Sequence, residues 1–243
     1  MNILLICGKY STLSIQFVKE FKKRLPEDKL IVFILTPFKK GNSFMYILKK
    51  NRLSYLVKKG MQFVSMYLRS AISRIFAIEP RYVSEVLEDY EIEHYLINDV
   101  NNQDVVNLIR EKQIDLLITY DCGQILKKNA IMASSIASLN VHYSMLPKYR
   151  GTAPIYWVLK NKEKETGVTI HFMEKGIDTG DVIFQKSINI DSGMNENTLT
   201  KTLAQIGAES IFAVVTLFKN GGIERVKQDM ACASYYSNTG RVY

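Results

Sequence analysis

The sequence predicts a doubly wound, Rossmann-like α/β fold with a mostly parallel sheet and a short C-terminal extension. Two observations carry that prediction. Short apolar runs such as Ile3-Leu4-Leu5-Ile6-Cys7 and Leu116-Leu117-Ile118 read as core strands, and they alternate with segments whose apolar residues recur at helical spacing. At 243 residues the chain is also long enough for one large domain to bury a substantial core.

Taken in order, Asn2–Cys7 reads as a strand. Ser11–Arg24 reads as a helix with Ile15, Val18, Phe21 and Leu25 on one face, and Leu30–Thr36 as a second strand. Ile92–Ile97 is a third strand, Gln103–Glu111 a helix, Asp115–Tyr120 a strongly apolar fourth strand and Ser138–Tyr143 a fifth. Thr152 followed by Pro154 signals a helix start, with the threonine as N-cap and the proline in the first turn. Val168–Met173 and Val182–Ile190 read as strands joined through a Gly176–Gly180 turn region. Asn197–Phe218 is a long amphipathic helix stopped by Asn220-Gly221-Gly222. The expected organisation is a catalytic domain over 1–220, with a basic helical insertion at 39–82, and a short extension at 221–243.

Composition narrows the functional classes. Apolar content of 47% and charged content of 23% are ordinary for a soluble globular protein. The three cysteines, Cys7, Cys122 and Cys232, are odd in number and far apart, so reduced thiols in a cytoplasmic protein are expected, with no metal site. Met1-Asn2 runs directly into the first apolar run, which reads as a strand and not as a signal peptide. No stretch approaches the uninterrupted apolar length of a membrane span. The formal charge of +8 is local: residues 39–82 hold ten of the 32 Lys and Arg but only one acid, Glu79, leaving the rest of the chain near neutral. Within that block Leu48, Leu56, Val64, Leu68, Ile72 and Phe76 recur at helical spacing. Three readings stand: an insertion with a solvated basic face, a surface that rests on anionic lipid, and electrostatic attraction of anionic substrates. No nucleic-acid partner is expected, because no recognised module or aromatic-interleaved groove is visible.

The chemistry sits where the fifth strand ends. Side chains two apart in a strand share a face, so Asn140 and His142 project together, at the strand end where open α/β sheets bind ligands. A side-chain amide can stabilise the oxyanion formed when an amine attacks an acyl carbon. A histidine can move the proton, and a carboxylate such as Asp178 can orient the imidazole. Spacing alone leaves the alternative open, in which Asn140 caps a loop, His142 is a satisfied edge histidine and Asp178 builds a turn.

Residues 139–151 (LNVHYSMLPKYRG), 152–157 (TAPIYW) and 166–184 (TGVTIHFMEKGIDTGDVIF) resemble the folate-dependent formyltransferase family. That family includes methionyl-tRNA formyltransferase, glycinamide ribonucleotide transformylase and the sugar-nucleotide N-formyltransferases. The resemblance implies formyl transfer from N10-formyltetrahydrofolate to a primary amine, with Asn140, His142 and Asp178 matching the catalytic residues. It implies that Asn140 polarises the formyl oxygen, that His142 stabilises the oxyanion or moves protons, and that Asp178 holds His142. Gln124, Ile125 and Leu126 match the segment whose backbone lines the pterin pocket. Relatives carry proline after the motif histidine, whereas this chain has Tyr143.

In size and layout the chain resembles the sugar-nucleotide branch, so the expected acceptor is a nucleotide-linked amino sugar such as dTDP-4-amino-4,6-dideoxyglucose, serving surface polysaccharide synthesis. The tRNA enzymes carry a further C-terminal domain. Lys9, Ser11 and Thr12 lie at a strand-to-helix junction suited to a phosphate, and Arg150 is a candidate for the acceptor's diphosphate. Tyr235-Tyr236 is expected to pack on a nucleobase or on a partner subunit, and a homodimer is expected by analogy. The alternatives are another small amine acceptor, such as glycinamide ribonucleotide, and a non-catalytic binding protein on the same fold.

Overall fold

The computed structural model describes residues 1–9, 11–36, 82–120 and 122–237. Apart from Tyr82, the basic block at 39–82 lies outside the described residues, as does the end of the C-terminal extension. The elements are β1 (Asn2–Gly8), α1 (Thr12–Arg24), β2 (Lys29–Leu35), α2 (Val83–Asp89), β3 (Glu93–Ile97), α3 (Gln103–Glu111), β4 (Leu116–Tyr120), α4 (Lys128–Ile131) and β5 (Ala137–His142). They continue with β6 (Arg150–Gly151), α5 (Pro154–Lys160), β7 (Glu165–Phe172), β8 (Val182–Asn189), α6 (Glu196–Lys219) and β9 (Tyr235–Tyr236).

Seven strands form one sheet in the order β3-β2-β1-β4-β5-β7-β8. The first five run parallel, and β7 and β8 are antiparallel to their neighbours. Alternation along each strand divides the core in two. Ile3, Leu5, Val32 and Ile118 face Phe17 and Phe21 of α1, Val86 of α2 and Leu203 and Val214 of α6. Leu4, Ile6, Ile31, Phe33 and Leu117 face Val106 and Ile109 of α3 and Ala130 of α4. This is the predicted doubly wound arrangement, and the strand order reverses between β1 and β4, beside the strand ends that carry the candidate site.

Three boundaries differ from expectation in instructive ways. Ser11 is the N-cap of α1 rather than its first residue, its hydroxyl accepting from Ser14 N at 3.2 Å. β7 begins at Glu165, three residues before the expected Val168, because Glu165–Gly167 pair with β8 opposite Asn189–Ser187. Thr152 is not the cap of α5. Ala153 is, with a left-handed backbone (φ 54°, ψ 48°), and the Thr152 N–H donates instead to Tyr236 O at 2.9 Å.

Helix α6 is long and apolar enough to cross a membrane by length and composition, yet 56% of that stretch is buried inside the protein. Its close approach to the sheet depends on Gly207, where an added Cβ would meet Tyr120 Cε2 and Val141 Cγ1, each at 3.2 Å. Next to it the Tyr120 hydroxyl donates to Ala204 O at 2.5 Å, tying β4 to the helix. Gly207→Val overfills this contact and is expected to destabilise the fold by about 1–3 kcal/mol in urea unfolding. An unchanged midpoint would mean that α6 can back away from β4 and β5 freely.

Candidate active site

A layer of three side chains crosses the sheet at its functional end. The strand register places Thr119 of β4 opposite Asn140 of β5, and Asn140 opposite His171 of β7. Thr119 Oγ1 lies 2.6 Å from Asn140 Oδ1. Asn140 Nδ2 lies 3.2 Å from His171 Nε2 and donates to Asp178 Oδ1 at 3.3 Å. His171 Nδ1 faces Phe172 O at 2.8 Å. A carbonyl only accepts, so Nδ1 carries a proton, and Nε2 faces both Asn140 Nδ2 and, at 3.5 Å, Asp178 Oδ1.

Two residues on, His142 is fixed by the same logic. Its Nε2 lies 2.8 Å from Tyr149 O and therefore donates, leaving Nδ1 facing Asp178 Oδ2 at 3.6 Å. Burial lowers the His142 imidazole below its ordinary 6.5, against the opposing pull of the Asp178 carboxylate. Burial also works against the charge on Asp178, but His142, the His171 contact and the Gly151 N–H together outweigh it and hold the carboxyl at about 2. The Gly151 N–H donates to Asp178 Oδ2 at 2.8 Å. At neutral pH the set is thus an ionised carboxylate beside a neutral imidazole with an unprotonated Nδ1, ready to take a proton.

Asp178 arrives on the β7–β8 connection in a left-handed backbone (φ 53°), and Gln228 Nε2 braces that turn by donating to Asp178 O at 2.9 Å and Gly180 O at 2.8 Å. The 147–152 loop is stitched to the C-terminal segment. Tyr149 N donates to Ser234 Oγ, and Arg150–Gly151 pair in parallel with Tyr235–Tyr236. At Gly151 (φ 99°) a Cβ would come within 2.2 Å of Tyr236 O, so only glycine fits there. Tyr236 stacks on Tyr149 with ring centroids 5.1 Å apart and lies tilted against Trp157 at 4.8 Å, so it packs within its own chain. Tyr235 is exposed and borders the cleft.

That cleft, of ≈ 550 Å³, runs from Asn140, His142, His171 and Asp178 to an apolar wall of Ile125, Leu126, Ile131 and Met173. The wall is rigidly braced: Asn101 Nδ2 donates to Ile125 O, and its Oδ1 accepts from Lys127 N. The side chain of Gln124 turns away to bond Asn98 O and Val100 N, so Gln124 holds the loop and offers the cleft its backbone. Tyr143 lines the cleft and packs edge-on against Tyr120.

Of the sequence candidates, Asn140, His142, Asp178, Gln124, Ile125 and Leu126 meet in this cleft. Lys9, Ser11 and Arg150 are not among its lining residues, and the Thr12 side chain lies outside the described ones. The Ser11 hydroxyl serves as a helix cap, Lys9 Nζ sits 5.4 Å from the Tyr82 ring centroid, and Arg150 Nη1 bonds Met230 Sδ. Sequence reasoning missed Thr119, His171 and Gln228. His171 had a signal, being one of only three histidines and lying in an expected strand. Among the described residues no group of three or more His, Cys, Asp or Glu is placed to hold a metal ion.

The family model for formyl transferase matches residues 29–215, well over half of the chain. The chain belongs to the formyltransferase family. Members of that family draw their formyl group from N10-formyltetrahydrofolate. The methionyl-tRNA formyltransferase of Syntrophomonas wolfei is 35% identical over 159 residues, which cover 65% of this chain and 51% of that enzyme. The chain thus spans about half the length of the curated relatives it matches. Among solved structures, the N-formyltransferase from Helicobacter canadensis superposes with a TM-score of 0.66 at 19% identity, covering 100% of this chain and 73% of that one. Glycinamide ribonucleotide transformylase 1 from Symbiobacterium toebii gives 0.66 at 14% identity and 94% of both chains. At these identities the likeness is one of fold.

Two outcomes follow from the geometry. In an NMR titration His142 should protonate below 6.5, and Asp178→Asn should move its midpoint lower still, because the substitution removes the charge that favours the imidazolium. An unchanged or raised midpoint in that variant would contradict the pairing. Stability should also respond to acid. The Asp178 carboxyl lies near 2 against an ordinary 3.8, so its contribution is full above 3.8 and is lost as pH falls towards 2. In Asp178→Asn that part of the acid-unfolding profile should flatten.

Proposed function

We propose that this chain transfers a formyl group from N10-formyltetrahydrofolate to the primary amine of a nucleotide-linked amino sugar. The observation that carries the reaction is the convergence of Asn140, His142 and Asp178, with Asp178 within 3.3 Å of Asn140 and 3.6 Å of His142, at one end of an apolar-walled cleft. A flat, largely apolar ring system suits the wall formed by Ile125, Leu126 and Met173. Residues 122–126 line the cleft beside that wall and offer backbone polar groups at its edge.

The bound donor supplies an activated formyl carbon, and the chain supplies the proton handling. Asn140 Nδ2 redirects one of its two long contacts to the formyl oxygen, where negative charge grows as the amine adds. His142 takes the proton shed by the attacking amine at Nδ1, and the Asp178 carboxylate stabilises the resulting imidazolium. The same proton returns to the departing folate nitrogen as its bond to the formyl carbon breaks. No proton is gained or lost overall.

The sugar acceptor rests on kinship of fold. The Helicobacter canadensis neighbour was solved with folinic acid and dTDP-3-aminofucose, and it covers this chain throughout, including the C-terminal segment that holds Gly151. A second reading has its own support, because the curated relatives at 31–42% identity are methionyl-tRNA formyltransferases. Cys7, Cys122 and Cys232, none of them in a disulfide, suit a cytoplasmic enzyme on either reading.

The deciding experiment offers N10-formyltetrahydrofolate with dTDP-, UDP- and GDP-linked 3-amino and 4-amino dideoxysugars, glycinamide ribonucleotide and methionyl-tRNA, and reads product mass. A gain of one formyl group on a single sugar nucleotide is the expected result. Formylation of methionyl-tRNA alone would overturn the sugar reading and establish the second. Turnover of glycinamide ribonucleotide alone would overturn both.

A further inference from the structure

Asparagine at a reacting centre is useful only in one orientation. Its NH2 stabilises developing negative charge, whereas its carbonyl oxygen repels it, and the two ends are nearly equal in size. We propose that Thr119 fixes the Asn140 amide with its NH2 towards the reacting atoms, acting as a positioning residue for the formyl transfer described above, on which this reading rests.

Thr119 is 2% exposed and sits directly opposite Asn140 in the β4–β5 register. Its hydroxyl has one proton and two candidate acceptors, Asn140 Oδ1 at 2.6 Å and Leu139 O at 3.4 Å. The nearer takes it. A separation of 2.6 Å fits an O–H···O bond and is shorter than an N–H···O bond normally becomes, so the Asn140 atom facing Thr119 is oxygen.

The other end of the amide agrees independently. It lies 3.3 Å from Asp178 Oδ1 and 3.2 Å from His171 Nε2. A flipped amide would set its carbonyl oxygen against a carboxylate oxygen, a repulsive contact in a largely buried site. Thr119 therefore pins the oxygen while Asp178 selects the NH2. The two NH2 contacts are long enough to exchange for a substrate oxygen, whereas the short Thr119 bond is not. The amide can release its NH2 to the substrate without losing its orientation.

The test compares Thr119→Val, which keeps the shape and removes the donor, with Thr119→Ser, which keeps the donor. In steady-state assays of the full chain, Thr119→Val should lower kcat about tenfold, the size of one ~1.4 kcal/mol hydrogen bond, while the KM for the folate donor stays within about twofold. Thr119→Ser should restore kcat. A merely structural threonine predicts the reverse, with Ser failing as Val does or with KM and kcat moving together. Retention of wild-type kcat in Thr119→Val would overturn the proposal. If Thr119→Val does not fold, Thr119→Ala carries the same comparison.

A second readout is independent of turnover. In protein labelled with 15N at asparagine, the Asn140 NH2 signals (assigned by their loss in Asn140→Ala) should show slow amide rotation in wild type and Thr119→Ser, and faster rotation in Thr119→Val. Equal rotation in all three would sink the assignment. A wild type inactive on every acceptor would defeat the proposed function, and the NMR comparison would still decide the role of Thr119.

Discussion

The structure around the site depends on one largely buried carboxylate. Removing a charge from water is costly unless partners compensate for it. Asp178 draws those partners from four separate stretches: Asn140 and His142 on β5, His171 on β7, the Gly151 N–H, and Gln228 behind its own carbonyl. The backbone is bent to make these meetings, with positive φ at Tyr149, Gly151 and Ala153 in one loop and at Asp178 in the β7–β8 connection. Such conformations persist only where surrounding contacts over-determine them, and they tend to mark functional sites.

That requirement makes the C-terminal segment part of the site and not an appendage to it. Ser234 and Tyr236 hold the loop that carries both the Tyr149 carbonyl, which fixes the His142 tautomer, and the Gly151 N–H, which bonds Asp178. The Tyr149 ring is anchored twice more. Tyr236 stacks on it, and its hydroxyl donates to Glu163 and accepts from Asn161. With burial and then the Glu163 carboxylate pushing it up, the Tyr149 phenol sits at about 12 and stays a neutral donor.

How far the sequence disclosed this depends on which contacts are local. The strands were legible because their apolar runs are continuous, and Asn140 with His142 because a period of two puts them on one face. Asp178 stood out in its glycine-flanked turn, and the match to formyltransferase motifs joined it to the other two. Thr119 and His171 were not legible as partners of Asn140, since cross-strand register is set by sheet pairing and not by spacing along the chain. The capping role given to Thr152 failed for a related reason: its N–H is claimed by Tyr236, more than eighty residues away. At the helix start where Lys9, Ser11 and Thr12 are expected to suit a phosphate, the Ser11 hydroxyl caps the helix.

The central claim is that the Asn140–His142–Asp178 set moves the formyl group while the apolar wall binds its carrier. The most direct measurement pairs formyl-transfer turnover with calorimetric binding of folinic acid in wild type, Asn140→Ala and His142→Ala. Both variants should bind the folate with near wild-type affinity and lose turnover by about a hundredfold or more, as expected when an oxyanion donor or a general base is removed. Near-normal turnover in either variant would contradict it.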